Sequence, residues 1–103
     1  MNKKNYITLA NKAANIQINE LRKIKSIFNN SFIKAVDLIL NCKGKVIFAG
    51  IGKSGLIARK ISATFSSVGI PSFFCDPAQA LHGDMGQIEK KDILIIFSYS
   101  GNT

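Results

Sequence analysis

Cysteine is scarce in this sequence: its 103 residues include Cys42 and Cys75 and no C-x-x-C pair. That spacing excludes a disulfide framework and a thiolate zinc site, and it predicts two reduced thiols in a cytoplasmic protein. Long apolar runs are also missing. The longest, Val46–Ile51 and Ile93–Phe97, are too short to cross a bilayer. Residues 1–18 begin with lysines but lack the continuous apolar segment of a signal peptide. We therefore expect no membrane partner.

Acidic residues are few, with 6 Asp and Glu against 14 Lys and Arg, which gives a net charge of +8. The excess is confined to residues 1–60, where 12 basic side chains face 2 acidic ones. A positive balance suits nucleic acids, membrane surfaces or small anions. However, the chain is also rich in Ile, Lys and Asn, which AT-rich coding would produce. We therefore discount nucleic acid as a partner. An apolar share of 47% with 19% charged residues is typical of one small globular domain.

The first part of the chain is predicted to be helical, over residues 4–42. Its apolar positions recur at the helical period of 3.6, and they are Leu21, Ile24, Phe28, Phe32, Ala35 and Ile39. Asn29-Asn30-Ser31 favours a break, because these side chains compete for backbone hydrogen bonds. The pattern indicates two helices or one kinked helix, ending at Gly44.

Three short apolar runs follow, each typical of a buried strand. They cover residues 45–49, 71–75 and 93–97, and a helix with an apolar face is predicted between the first two, over 53–68. Strand, helix, strand and strand is the beginning of a parallel α/β sheet. We expect a partial flavodoxin-like sheet with strand order 2-1-3. Because such sheets usually have more strands, we expect a truncated domain over 43–103, after a helical segment over 1–42.

A glycine-rich loop, Gly50-Ile51-Gly52-Lys53-Ser54-Gly55, joins the first strand to this helix. Glycines allow the backbone to approach a ligand, and a helix N-terminus offers unpaired N–H groups and partial positive charge. With the Lys53 ammonium added, the loop is a candidate anion site. The alternative interpretation is a tight strand-to-helix turn that binds no ligand.

Two nucleotide motifs compete for the same loop. A P-loop would need glycine where Ile47 stands, so it is rejected. The spacing of Gly50, Gly52 and Gly55 does match G-x-G-x-x-G, and Asp76 lies near the position of a ribose-binding acid. A dinucleotide site therefore remains an alternative at this point.

Two further segments carry polar groups near the predicted strand ends. His82, flanked by glycines in Leu81–Gly86, has a side chain suited to proton transfer, or it is a surface histidine. Ser98–Thr103 follows the third strand, where its hydroxyls can surround a phosphate, or it is a simple Ser/Gly turn. Asp84 is better explained as a turn former than as an acid.

Together and in this order, these motifs resemble the sugar isomerase (SIS) domain. The loop S-x-S-G-x-T at Ser98–Thr103 marks that domain in general. The combination of G-x-G-K-S-G at Gly50–Gly55, P-S-F-F at Pro71–Phe74 and H-G-D-x-G at His82–Gly86 is similar to the arabinose 5-phosphate isomerases. The resemblance covers about 60 residues of the chain. It implies interconversion of D-arabinose 5-phosphate and D-ribulose 5-phosphate, a reaction that supplies synthesis of the Kdo sugar of lipopolysaccharide or capsule.

Carried over by position, the resemblance implies roles for individual residues. Lys53 and His82 would be catalytic, with His82 also contacting the substrate. The remaining substrate contacts would be Gly50, Gly52, Ser54, Gly69, Ile70, Ser98, Ser100, Gly101 and Thr103. A histidine that can bind metal in the family is replaced here by Asp76. Because a carboxylate can also bind zinc, the expected zinc site at Asp76 is weakened rather than lost. The resemblance implies no required cofactor.

The resemblance also sets the expected partners. They are a pentose phosphate and, for the completed protein, further copies of itself, since the resembled family forms tetramers. Family members continue with more strands, further catalytic residues and usually CBS domains. A non-catalytic sugar-phosphate-binding SIS module of a regulator is the main alternative function.

Overall fold

A computed structural model of the chain describes residues 2–80 and 84–101. Its helices and strands follow in the order α1 (Lys3–Ile24), a 3-10 turn (Lys25–Ile27), α2 (Asn30–Leu40), β1 (Val46–Gly50), α3 (Lys53–Ser67), β2 (Ser72–Cys75), α4 (Pro77–Ala80), a second 3-10 turn (Asp84–Gln87) and β3 (Ile93–Phe97). The chain divides into two compact units, Met1–Val36 and Asp37–Thr103. None of the helices within the described ranges is long and apolar enough to cross a membrane.

The predicted break between two N-terminal helices is confirmed. The Asn2 side chain caps α1 by accepting a hydrogen bond from the Lys4 N–H at 3.1 Å. The Asn29 side chain does the same at the start of α2, accepting from the N–H groups of Ser31 at 3.0 Å and Phe32 at 3.3 Å. These side-chain oxygens replace the backbone partners that a first helical turn lacks.

The three strands form one parallel sheet in the order β2-β1-β3, as the sequence predicts. The whole of β1 is buried, which explains its continuous apolar sequence. On one face of the sheet Phe48 is 2% exposed and packs edge-on against Phe65 of α3 at 5.0 Å. Its ring also stacks on Phe97 of β3 at 6.0 Å. This aromatic cluster holds α3 against the sheet.

The prediction that the third strand is buried is wrong for one of its faces. Ile95 and Phe97 pack into the core beside Phe48. Leu94 and Ile96, which alternate with them, are 46% and 62% exposed. Successive side chains of a strand point to opposite faces, so a continuous apolar run alone does not show that both faces are covered.

Asp92 joins the loops that precede β1 and β3. Its side-chain oxygens accept hydrogen bonds from the backbone N–H groups of Lys45 at 2.7 Å and Glu89 at 2.8 Å. The Lys45 ammonium lies 3.4 Å away. These N–H donors, with a smaller contribution from the Lys45 charge, lower the pKa of the Asp92 carboxyl. A Cβ on Gly44 would collide with the same carboxylate, so glycine is required there.

Candidate functional site

The loops that leave the three strands meet at the carboxyl edge of the sheet. Gly50, the last residue of β1, is in register with Phe97 of β3, and Ala49 is in register with Cys75 of β2. Asp76 and Ser98 therefore begin their loops on either side of the glycine loop that follows β1. Ligands of open α/β sheets bind at this edge.

Two glycines in the loop allow β1 to approach α3. A Cβ on Gly50 would lie 2.9 Å from the backbone of Ser54 and Gly55, and a Cβ on Gly55 would lie 2.6 Å from the Gly50 carbonyl oxygen. Both residues are buried. Any side chain at either position would push the helix N-terminus away from the strand.

Between them, Gly52 has φ +63° and ψ −130°, a backbone conformation that favours glycine. A Cβ there would meet nothing within 4 Å, so conformation rather than space requires this glycine. Lys53 begins α3, where the first N–H groups of a helix lack helical partners. Its side chain is exposed and forms no ion pair within the described part of the chain. Ser54 is half-buried beside it.

The loop after β3 is closed by its own serine. The Ser98 hydroxyl accepts a hydrogen bond from the Gly101 N–H at 2.9 Å, and Gly101 has φ +77°. Tyr99 is fully exposed at the turn, and Ser100 is exposed. Ser98, Ser100 and Gly101 thus follow β3 at the same edge of the sheet as the glycine loop that follows β1. Their role in phosphate binding stays a prediction.

Two of the predicted site residues fall outside the described ranges. They are His82 and Thr103, and their roles stay predictions. Gly69 and Ile70 lie before β2, at the opposite, amino-terminal edge of the sheet. A strand of four or five residues is about 13–17 Å long. Within this chain, Gly69 and Ile70 are therefore not brought together with Lys53, and substrate contact by either one remains untested.

The fit of a zinc ion at Asp76 is weak on the residues described. Asp76 is exposed, and its Oδ1 accepts a hydrogen bond from the Ala78 N–H at 2.9 Å, which fixes the start of α4. Among residues 2–80 and 84–101, no three His, Cys, Asp or Glu side chains cluster around a common point. Zinc usually takes four ligands, or three and a water molecule.

A cleft of about 270 Å³ opens beside the glycine loop, on the side toward β2. Its lining includes Gly50, Gly52, Arg59, Phe74 and Asp76. The Arg59 guanidinium lies 4.3 Å from the centre of the Phe74 ring, a cation–π contact. Sequence reasoning did not find Arg59, because only the parallel pairing of β1 and β2 brings α3 against Phe74.

Residues 39–103 match the model of the SIS domain. The chain belongs to the SIS domain family. The matched range contains all three strands, the glycine loop and the serine loop, so the family assignment and the geometry agree.

Named relatives of this SIS chain include isomerases of sugar phosphates. Arabinose 5-phosphate isomerase GutQ of Escherichia coli K12 is 46% identical over 86 residues, which are 84% of this chain and 27% of that protein. A Listeria monocytogenes structure named as a sugar-phosphate isomerase superposes with a TM-score of 0.92 at 32% identity. The structure of E. coli CFT073 c3406 in complex with arabinose 5-phosphate superposes with a TM-score of 0.82 at 40% identity. Both superpositions cover 100% of this chain and 55% of the other.

Proposed function

We propose that this SIS chain binds a pentose 5-phosphate at the carboxyl edge of its sheet, as part of an arabinose 5-phosphate isomerase. The observation that carries the proposal is the position of two loops. The Lys53 loop and the Ser98–Gly101 loop follow adjacent strands at the same edge of the sheet. The relatives add support, because one of them is an arabinose 5-phosphate isomerase and another was solved with arabinose 5-phosphate bound. The product, D-ribulose 5-phosphate, would then supply Kdo synthesis.

The reaction moves a proton between carbon 1 and carbon 2 of the sugar through an enediol. It needs a base, a positive group near the developing oxyanion, and a clamp for the phosphate. In the proposed arrangement the Ser98–Gly101 loop holds the phosphate with neutral donors. Lys53, at the positive end of α3, stabilises the oxyanion. His82 transfers the proton, since an imidazole can both accept and donate one.

Calorimetric titration of the 103-residue chain with D-arabinose 5-phosphate tests the binding step. We propose that Lys53 already donates a hydrogen bond to the bound sugar, at the oxygen that becomes the oxyanion. Binding should then weaken roughly tenfold or more in Lys53→Ala, because a charged hydrogen bond is worth about 1.5–3 kcal/mol. Lys60→Ala removes the same charge from an exposed position of α3 outside the loop, and it should bind as the wild type does. Absence of binding in the wild type would contradict the proposal.

Two other outcomes would favour the alternatives. Binding of NAD that is lost in Asp76→Ala would support a dinucleotide site at the glycine loop. The regulator alternative is tested by a chimera in which residues 1–103 replace the matching region of an active relative. Turnover that falls in Lys53→Ala and His82→Ala would support catalysis, and binding without turnover would support a sensing module.

A further inference from the structure

The cleft beside the glycine loop contains two opposite charges that do not pair with each other. Arg59 and Asp76 both line it, and no ion pair of either is found within the described residues. An Arg and an Asp placed to neutralise each other would be expected in direct contact. The cleft therefore offers a ligand one positive and one negative side chain that do not neutralise each other there.

Arg59 is held in a defined orientation. Its guanidinium rests on the Phe74 ring at 4.3 Å, and Phe74 is a half-buried residue of β2 packed against the core. A planar guanidinium on an aromatic face keeps its N–H donors pointing outward in the plane of the group. Asp76 is fixed in turn by the Ala78 N–H, which leaves its other carboxylate oxygen to accept. The lining of the cleft thus includes hydrogen-bond donors from Arg59 and an acceptor from Asp76.

A cleft lined by both Arg59 and Asp76 favours a hydroxyl group over a phosphate as its ligand. A dianionic phosphate in the cleft would be attracted by Arg59 but repelled by the Asp76 carboxylate, so the two charges together give it little net stabilisation. A sugar hydroxyl both donates and accepts, so it can satisfy Asp76 and Arg59 at once. The phosphate then belongs on the other side of β1, in the Ser98–Gly101 loop.

The distance between the two positions suits a pentose phosphate. Neighbouring strands lie about 4.8 Å apart, so the ends of β2 and β3 are separated by about 9.6 Å. A pentose 5-phosphate has six successive bonds of about 1.5 Å from phosphorus to carbon 1, and its terminal oxygens add to that length. An extended molecule can therefore reach from the Ser98 loop across Gly50 into the cleft.

Resting on the proposed function, we propose that the hydroxyl end of the sugar phosphate enters this cleft, and that Arg59, stacked on Phe74, is a specificity-determining contact for it. Arg59 would distinguish a sugar phosphate from a bare phosphate ion. It would do so without holding the phosphate itself.

Titrations of the 103-residue chain with D-arabinose 5-phosphate and with inorganic phosphate test this. In Arg59→Gln we expect affinity for the sugar phosphate to fall roughly tenfold, because charged hydrogen bonds are lost. Affinity for inorganic phosphate should stay within twofold of the wild type. Ser98→Ala should weaken both ligands. Lys60→Gln also removes one positive charge, at the next position of α3, and it should affect the affinity for neither ligand.

Arg59→Lys is a second variant that keeps the charge but loses the planar fork. We expect it to lose part of the affinity for the sugar phosphate, and thermal melting checks that both variants are folded. Wild-type affinity for the sugar phosphate in folded Arg59→Gln would overturn this inference and leave the proposed function standing. A parallel loss for both ligands would also overturn it, by making Arg59 the phosphate contact. If the wild type binds no sugar phosphate, both proposals fail.

Discussion

At the scale of single residues, Asp92 links the loop before β1 to the loop before β3. Its carboxylate accepts two backbone N–H groups and lies beside the Lys45 ammonium. Because these contacts favour the charged form, the pKa of Asp92 is lower in the folded chain than in the unfolded chain. Its contribution to stability is therefore present above the unfolded pKa, and it is lost as the pH falls through the folded pKa.

We expect Asp92→Asn to be less stable than the wild type at neutral pH, with a smaller further loss on acidification. An amide carries no negative charge, and its single oxygen can accept from only one of the two N–H groups that bond to separate oxygens of the carboxylate. Urea unfolding at a series of pH values from 7 to 3 measures this. Glu89→Gln is the matched control, because the Glu89 side chain is 57% exposed and its one ion pair among the described residues is with exposed Lys91. If Asp92→Asn and the wild type lost stability in parallel on acidification, the charge of Asp92 would make no contribution to the free energy of unfolding.

The candidate site shows what can be predicted from single residues. Lys53, Ser98, Ser100 and Gly101 lie in motifs that are local in sequence, and their edge of the sheet follows from the strand order. Arg59 belongs to no motif, and its partner Phe74 is 15 positions away. Only packing of the helix on the sheet creates that contact, so the cleft could not be found from spacing.

At the scale of elements, the junction of β1 and α3 determines the geometry of the loop. The sequence predicted both elements and nearly their bounds, because β1 is uniformly apolar and α3 has apolar residues at helical spacing. It did not predict which face of α3 is buried, since Leu56 and Ile57 are exposed. It did not predict α4 or the 3-10 turn at Asp84–Gln87, which are too short for a periodic pattern. The exposed face of β3 was also missed. When every residue of a strand is apolar, the sequence does not show which alternate side chains face solvent.

A methyl group at Gly50 should disrupt this junction. We expect Gly50→Ala to lower the free energy of unfolding by about 1–3 kcal/mol, because its Cβ would lie 2.9 Å from the backbone of α3. Urea denaturation measures the change. Gly86→Ala is the control, since a Cβ there meets nothing within 4 Å and it should stay within about 0.5 kcal/mol. Equal stability of the two variants would show that strand and helix separate without cost.

At the scale of the whole molecule, β3 is one of the two edge strands of the described sheet, and β2 is the other. No strand among the described residues pairs with the outer side of β3, and Leu94 and Ile96 are exposed on one face. The chain spans 27% of the length of GutQ and 55% of each of the two neighbouring structures. An apolar strand with unpaired N–H and C=O groups is a template for pairing with another chain.

We therefore expect the 103-residue chain to self-associate through β3. Sedimentation velocity should show a larger species whose share rises with concentration. Ile96→Lys should shift the population toward monomer, because a charge on an edge strand opposes strand addition. Ile57→Lys places the same charge on α3, where Ile57 is 55% exposed, and it should leave the association unchanged. A monomer at every concentration would contradict the prediction. Equal effects of the two lysine variants would place the contact elsewhere than β3.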